Sequence, residues 1–172
     1  MVMTKEKSCG AVIFRKHQDK YQFVLIQQRY GLHFGFPKGH VEKNESERMT
    51  AKREVLEETG LEVVIYDHLK EKTRYYPRQG VIKDVVYFLA RAVTNEFKPQ
   101  EEEIADAQWV DASDVLEKLT YKTDKEIFVS LSKKANINLW GSYASRINCV
   151  FTWKNHPHIP ILWSRPPKRS CL

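Results

Sequence analysis

Short apolar runs set off by polar punctuation fill most of the first 110 residues. Ser8–Arg15 (SCGAVIFR) and Tyr21–Gln28 (YQFVLIQQ) are rich in β-branched and aromatic residues and read as two strands. The polar stretch Lys16-His17-Gln18-Asp19-Lys20 is the turn between them. Tyr30–Lys38, with glycines close by and Pro37 inside it, reads as a loop. A helix is expected next, with Asn44 as its cap, Glu47 closing a capping box and Gly60 ending it in the left-handed conformation. Leu61–His68 and Glu71–Tyr76 are strand-like, and Pro77-Arg78-Gln79-Gly80 is a turn. Asp84–Ala92 (DVVYFLARA) is the most apolar run, as expected of a central strand buried on both faces. Lys98–Asp106 reads as an acidic loop and Ala107–Val110 as a short strand. Ser113–Leu119 and Asp124–Lys134 read as helices, with Ser113 and Asp124 as caps. Strands, one helix, more strands and then helices predict an α/β fold, a mixed sheet with helices packed on it.

Length and charge add a division of the chain. The 172 residues suit one domain with a sizeable core, placed at residues 3–135, plus an extension over 136–172. Net charge is +6, and the extension carries Arg146, Lys154, Arg165, Lys168 and Arg169 with no acid. The domain itself is thus nearly neutral and its charge gives no reason to expect a nucleic-acid partner. The extension also holds Trp140, Trp153 and Trp163 and four of the seven prolines. Basic and aromatic together suit nucleic-acid or membrane-surface contact, whereas the plainer expectation is a peripheral or disordered tail. The opening MVMTKEKS lacks an apolar signal region, and no apolar run is long enough to cross a bilayer. Cys9, Cys149 and Cys171 are odd in number and form no CxxC pair, so a reducing, cytoplasmic setting is expected, with no membrane partner. No oligomeric state is implied.

The chemistry is concentrated between Gly39 and Leu61. Helical neighbours lie three and four positions apart, so Glu54 stands beside Glu57 and Glu58, and Arg53 is four before Glu57. Three carboxylates that close repel one another unless a cation sits among them, and hard oxygen donors suit Mg²⁺ or Mn²⁺. On the acids alone, a solvated helix face is the competing reading. The wider spacing decides between them. Gly39, five residues, Glu45, seven residues, Arg53-Glu54-Val55, one residue, Glu57-Glu58, one residue, Gly60-Leu61 meets every fixed position of the Nudix box. The chain therefore resembles a Nudix hydrolase.

That resemblance implies a Nudix-type α/β/α sandwich over roughly residues 3–135. Phe36-Pro37-Lys38-Gly39-His40-Val41-Glu42 is similar to the entry of the asymmetrical diadenosine tetraphosphate hydrolase branch, as are Asp84–Ala90 and Glu103, six residues before Trp109. Phe34 stands where the branch often has Trp, keeping an aromatic wall. The resemblance implies hydrolysis of a pyrophosphate bond in a nucleotide substrate, diadenosine tetraphosphate giving ATP and AMP. It implies Mg²⁺, with Mn²⁺ a possible substitute, held by Glu54, Glu57 and Glu58, by the Gly39 carbonyl and by Glu103. Arg53 would orient the metal-binding face, and Glu45 would be structural. Glu54, Glu58 and Glu103 all stay open as the general base. Lys38, on a rigid Pro-Lys-Gly turn, suits phosphate as a point charge, or is a solvated loop lysine. Lys83 is a candidate for outer phosphates, and His40 for substrate or for fastening the loop. Tyr87, with Tyr76 second, is the candidate platform for adenine, against ordinary sheet packing. Two alternatives remain: a Nudix enzyme acting on RNA 5′ ends or (d)NTPs, and a non-catalytic nucleotide sensor. Sensors commonly lose box carboxylates, whereas all three are present.

Overall fold

Seven strands and three helices make up the computed structural model, which describes residues 3–137. In chain order they are β1 (Thr4–His17), β2 (Lys20–Gln28), β3 (Phe34–Gly35), β4 (Lys38–His40), α1 (Glu47–Thr59), β5 (Val63–Arg78), β6 (Val81–Ala92), β7 (Ile104–Asp111), α2 (Val115–Lys118) and α3 (Lys122–Lys134). The sheet runs β3-β2-β1-β6-β5, with β4 added to β1 and β7 to β2. Only β1 and β6 pair in parallel; every other pairing is antiparallel, so the sheet is mixed.

Because successive side chains of a strand point to opposite faces, the apolar runs of β1, β2 and β6 supply two cores. Val12, Phe23, Leu25, Val85, Tyr87 and Leu89 meet Val115 of α2, Leu119 just after it, and Ile127, Phe128 and Leu131 of α3. Cys9, Ala11, Ile13, Val24, Ile26, Val86, Phe88 and Ala90 meet Ala51 and Val55 of α1. Helices thus cover both faces, giving the expected α/β/α sandwich, with Asp84–Ala92 inside a central strand. The extension, apart from its first two residues, lies outside the described residues.

Local expectations fail in several places. The stretch Tyr30–Lys38, read as a loop, contains β3 and the first residue of β4, and β7 begins at Ile104 inside the stretch Lys98–Asp106, also read as a loop. Ser46, not Asn44, caps α1: its Oγ accepts the Met49 N–H at 3.2 Å. Asn44 instead takes φ +72° in the loop before it, a conformation asparagine tolerates. The two strands expected over 61–76 are one strand, β5, whose register slips between Tyr66 and Lys70; a bulge absorbs the polar residues that look like a break. The turn after it is tighter than expected, with Gly80 at φ +77°. Ser113 and Asp124 cap nothing. Asp114 and Tyr121 occupy the two N-cap positions without a side-chain cap bond, and Asp124 is buried in the first turn of α3.

Candidate functional site

Helix α1 buries a stripe made of Ala51, Glu54, Val55 and Glu58. Ala51 is three before Glu54 and four before Val55, and Glu58 is three after Val55 and four after Glu54, the spacing of one helical face, so two carboxylates share the face that enters the core. Glu54 is 9 % exposed and Glu58 6 %. Strand β4, paired antiparallel to β1, crosses this face, and each of its three residues meets a different group of α1. The Lys38 N–H donates to Glu58 Oε2 at 2.7 Å. Gly39 faces Glu54, and a Cβ there would land on the Glu54 carboxyl group. The His40 carbonyl accepts from Arg53 Nη2 at 3.0 Å. Gly10 makes the crossing possible, since a Cβ on it would strike the Pro37 carbonyl and Lys38.

Arg53 uses all five of its N–H donors. Nε and Nη2 fork onto Glu45 at 2.8 and 2.9 Å, and Nη1 reaches Glu54 at 2.7 Å and Glu57 at 3.0 Å. The fifth is the bond to His40. The fork holds the Glu45 carboxyl down at about 2, and its acids in turn raise the Arg53 guanidinium above its ordinary value. Glu54 and Glu58 go the other way. Burial raises both, Glu58 to about 8, against the Arg53 guanidinium beside Glu54 and the Lys38 N–H and charge at Glu58.

Glu103 closes the far side of the site, near enough for its charge to raise Glu54 and Glu58 further. A strap places it. The N–H groups of Lys98 and Gln100 donate to the Thr59 and Glu57 carbonyls at the open end of α1, at 3.0 and 3.1 Å. The Glu103 carbonyl accepts the Arg29 N–H at 2.8 Å.

The donors suit a hard divalent cation. Glu58 is a buried carboxylate whose hydrogen-bond partner among the described residues is a neutral N–H, and Glu54 shares the Arg53 guanidinium with two other acids. Among the described residues no three His, Cys, Asp or Glu side chains already converge as a ligand set. The carboxylates are turned instead onto Arg53 and the Lys38 N–H.

Cations continue from Lys38 along the sheet. Lys83 on β6 is paired with Glu6 on β1 and with Tyr75 on β5. Burial and the charges of Lys38 and Arg78 lower the Lys83 ammonium. Glu6 accepts from Arg78 at 3.1 Å, and His40 Nε2 stands 3.5 Å from both Glu6 Oε2 and Lys83 Nζ. One acid therefore serves several basic groups.

Beside Lys38 opens a cavity of about 530 Å³. Phe34, Phe36, Tyr75, Tyr87 and Tyr121 line it, and Asp124 contributes a carboxylate. Tyr87 is in the wall but only 1 % exposed, with its hydroxyl donating to Asp124 Oδ1 at 3.4 Å. It supports the cavity without offering a free face. Tyr76 is 66 % exposed and outside the wall; its neighbour Tyr75 lines the cavity instead. Residue parity along β5 depends on the register slip, which the sequence pattern does not reveal. Tyr121 and Asp124 were missed as cavity residues, Asp124 because a first-turn acid resembles a cap.

A family profile described as NUDIX domain matches residues 4–131. The asymmetrical bis(5'-nucleosyl)-tetraphosphatase of Mus musculus is 37% identical over 94 residues, which cover 49% of this chain and 63% of that protein. The chain thus spans under two thirds of that relative's length. The protein of the same description from Caenorhabditis elegans is 32% identical over 119 residues, 67% of this chain and 86% of the relative. The crystal structure of a C. elegans Ap4A hydrolase binary complex superposes with a TM-score of 0.70 at 28% identity, over 76% of this chain and 98% of that one.

Proposed function

This chain belongs to the NUDIX family, and on that premise we propose that it hydrolyses a pyrophosphate bond in dinucleoside polyphosphates, cutting diadenosine tetraphosphate to ATP and AMP. The observation that carries the reading is the crossing of β4 over the buried stripe of α1, which brings Lys38 and Gly39 against Glu58 and Glu54. The relatives named above support the choice of substrate.

In this reading Glu54, Glu57 and Glu58, with the Gly39 carbonyl and Glu103, would hold Mg²⁺, for which Mn²⁺ could stand in. The bound ion would neutralise phosphate charge and acidify a water. Arg53 keeps Glu54 and Glu57 from scattering, Glu45 holds Arg53, and the Lys38 N–H holds Glu58. Glu54, Glu58 or Glu103 would take the proton leaving that water. Lys38, Lys83 and His40 meet the polyphosphate, where positioning and charge stabilisation supply most of the catalysis. The aromatic cavity takes a nucleobase. Tyr87 backs it and Tyr75 and Tyr121 flank it, while Tyr76 is left without a part. A cytoplasmic setting belongs to this reading too, on the odd cysteine count.

Glu57→Gln and Glu58→Gln should each lower turnover of diadenosine tetraphosphate by at least about 100-fold in Mg²⁺ while circular dichroism stays unchanged. Near-normal turnover in either variant overturns the metal assignment. Product analysis decides the substrate: ATP plus AMP from diadenosine tetraphosphate is expected. Faster release of pyrophosphate from 5′-triphosphate RNA would favour the RNA alternative.

A further inference from the structure

We propose that Asp124 determines base specificity in the aromatic cavity, its Oδ2 accepting an N–H from the hydrogen-bonding edge of the bound nucleobase. The inference deepens the reading above and rests on it, since the cavity must first hold a base.

Asp124 is only 8 % exposed, yet it lines the cavity. Its Oδ1 receives the Tyr87 hydroxyl at a long 3.4 Å, and no described residue donates to Oδ2. Gly35 stands next to that oxygen: a Cβ there would come within 3.1 Å of Oδ2, so the glycine keeps the approach open. As the third residue of α3, Asp124 makes no cap bond that would explain its burial. Burial raises its carboxyl, and the nearby Lys38 charge works against that rise.

A carboxylate among aromatic rings is costly to keep there unless something donates to it. Stacking faces accept any base, because every base has a π-face. The acid is therefore the cavity's means of telling one base from another. Adenine and guanine present an amino group to such an acceptor; the unsubstituted purine ring has no N–H on that edge. A site with a buried acceptor discriminates strongly against a ligand that leaves it unpaired.

Calorimetry on the full chain in Mg²⁺ tests this with ATP and with the triphosphate of unsubstituted purine riboside. Wild type should bind ATP about tenfold more tightly, the worth of one hydrogen bond to a charged group. Asp124→Ala should bring the ratio close to one by weakening ATP alone, and Asp124→Asn, which keeps a carbonyl acceptor, should restore part of it. Gly35→Ala leaves Asp124 in place but narrows the approach to Oδ2, and should also shrink the ratio; it serves if Asp124→Ala fails to fold. Equal binding of the two nucleotides by wild type, or an equal loss for both in Asp124→Ala, overturns the specificity role. Failure of both nucleotides to bind wild type overturns the base-pocket reading as well, a result distinct from binding without discrimination.

Discussion

Gly10 and Gly39 both lack a side chain because something else occupies its place, but the occupants differ. At Gly10 the obstacle is backbone, the Pro37 carbonyl and the Lys38 Cα. Gly10→Ala must push β4 away from β1 and should cost about 3 kcal/mol, read from urea unfolding. At Gly39 the obstacle is the end of the Glu54 side chain. A carboxylate can turn aside, so Gly39→Ala should unfold within about 1 kcal/mol of wild type. It should nonetheless lose most of its hydrolytic activity, because Glu54 has left its place. The box spacing made Gly39, Arg53 and the glutamates legible from sequence. The reason for the glycine was not, since it depends on a strand crossing a helix some fifteen residues further along.

At the scale of elements, α1 is unusual in burying acids on its inward stripe, and this has a sign that can be measured. In metal-free protein Glu58 keeps its proton up to about 8, whereas the unfolded chain releases it near the ordinary 4.5. The folded state then binds more protons between those values, so stability should fall as pH rises from 4.5 to 8. Urea unfolding in EDTA at pH 5 and pH 8 should show the loss, and Glu58→Gln should abolish most of it. From the sequence, the helix, its Gly60 end and its acids could all be read. That the acids face inward could have been inferred from Ala51 and Val55, which share their stripe. Ser46 displaced Asn44 as the cap because the preceding loop uses asparagine's tolerance of positive φ at position 44. The bulge in β5 was hidden for a simpler reason: a slip of register inside one long strand looks, along the sequence, like a break between two short ones at Leu69-Lys70.

Across the whole molecule, the sheet keeps two layers apart. The carboxylate site belongs to the α1 side and the aromatic cavity to the α3 side, with Lys38 at their boundary. Phe128 of α3 packs edge-on against Phe23 at 4.8 Å and stacks near Phe36, a wall of the cavity. Phe128→Ala should therefore cost about 3–5 kcal/mol in urea unfolding. In the protein that remains folded, KM for diadenosine tetraphosphate should rise more than kcat falls. Apolar runs made the layered architecture legible, because runs without alternation mean strands covered on both sides. The cavity was not, since its walls come from β3, β5, β6 and α3 and meet only through the tertiary fold.

The strap from Lys98 to Gln100 ties the loop bearing Glu103 to the last carbonyls of α1. Glu103 is thus a passenger of the helix that carries the other three glutamates. The two banks of the acidic cleft are therefore joined to each other by backbone, not only by the charges that face across it.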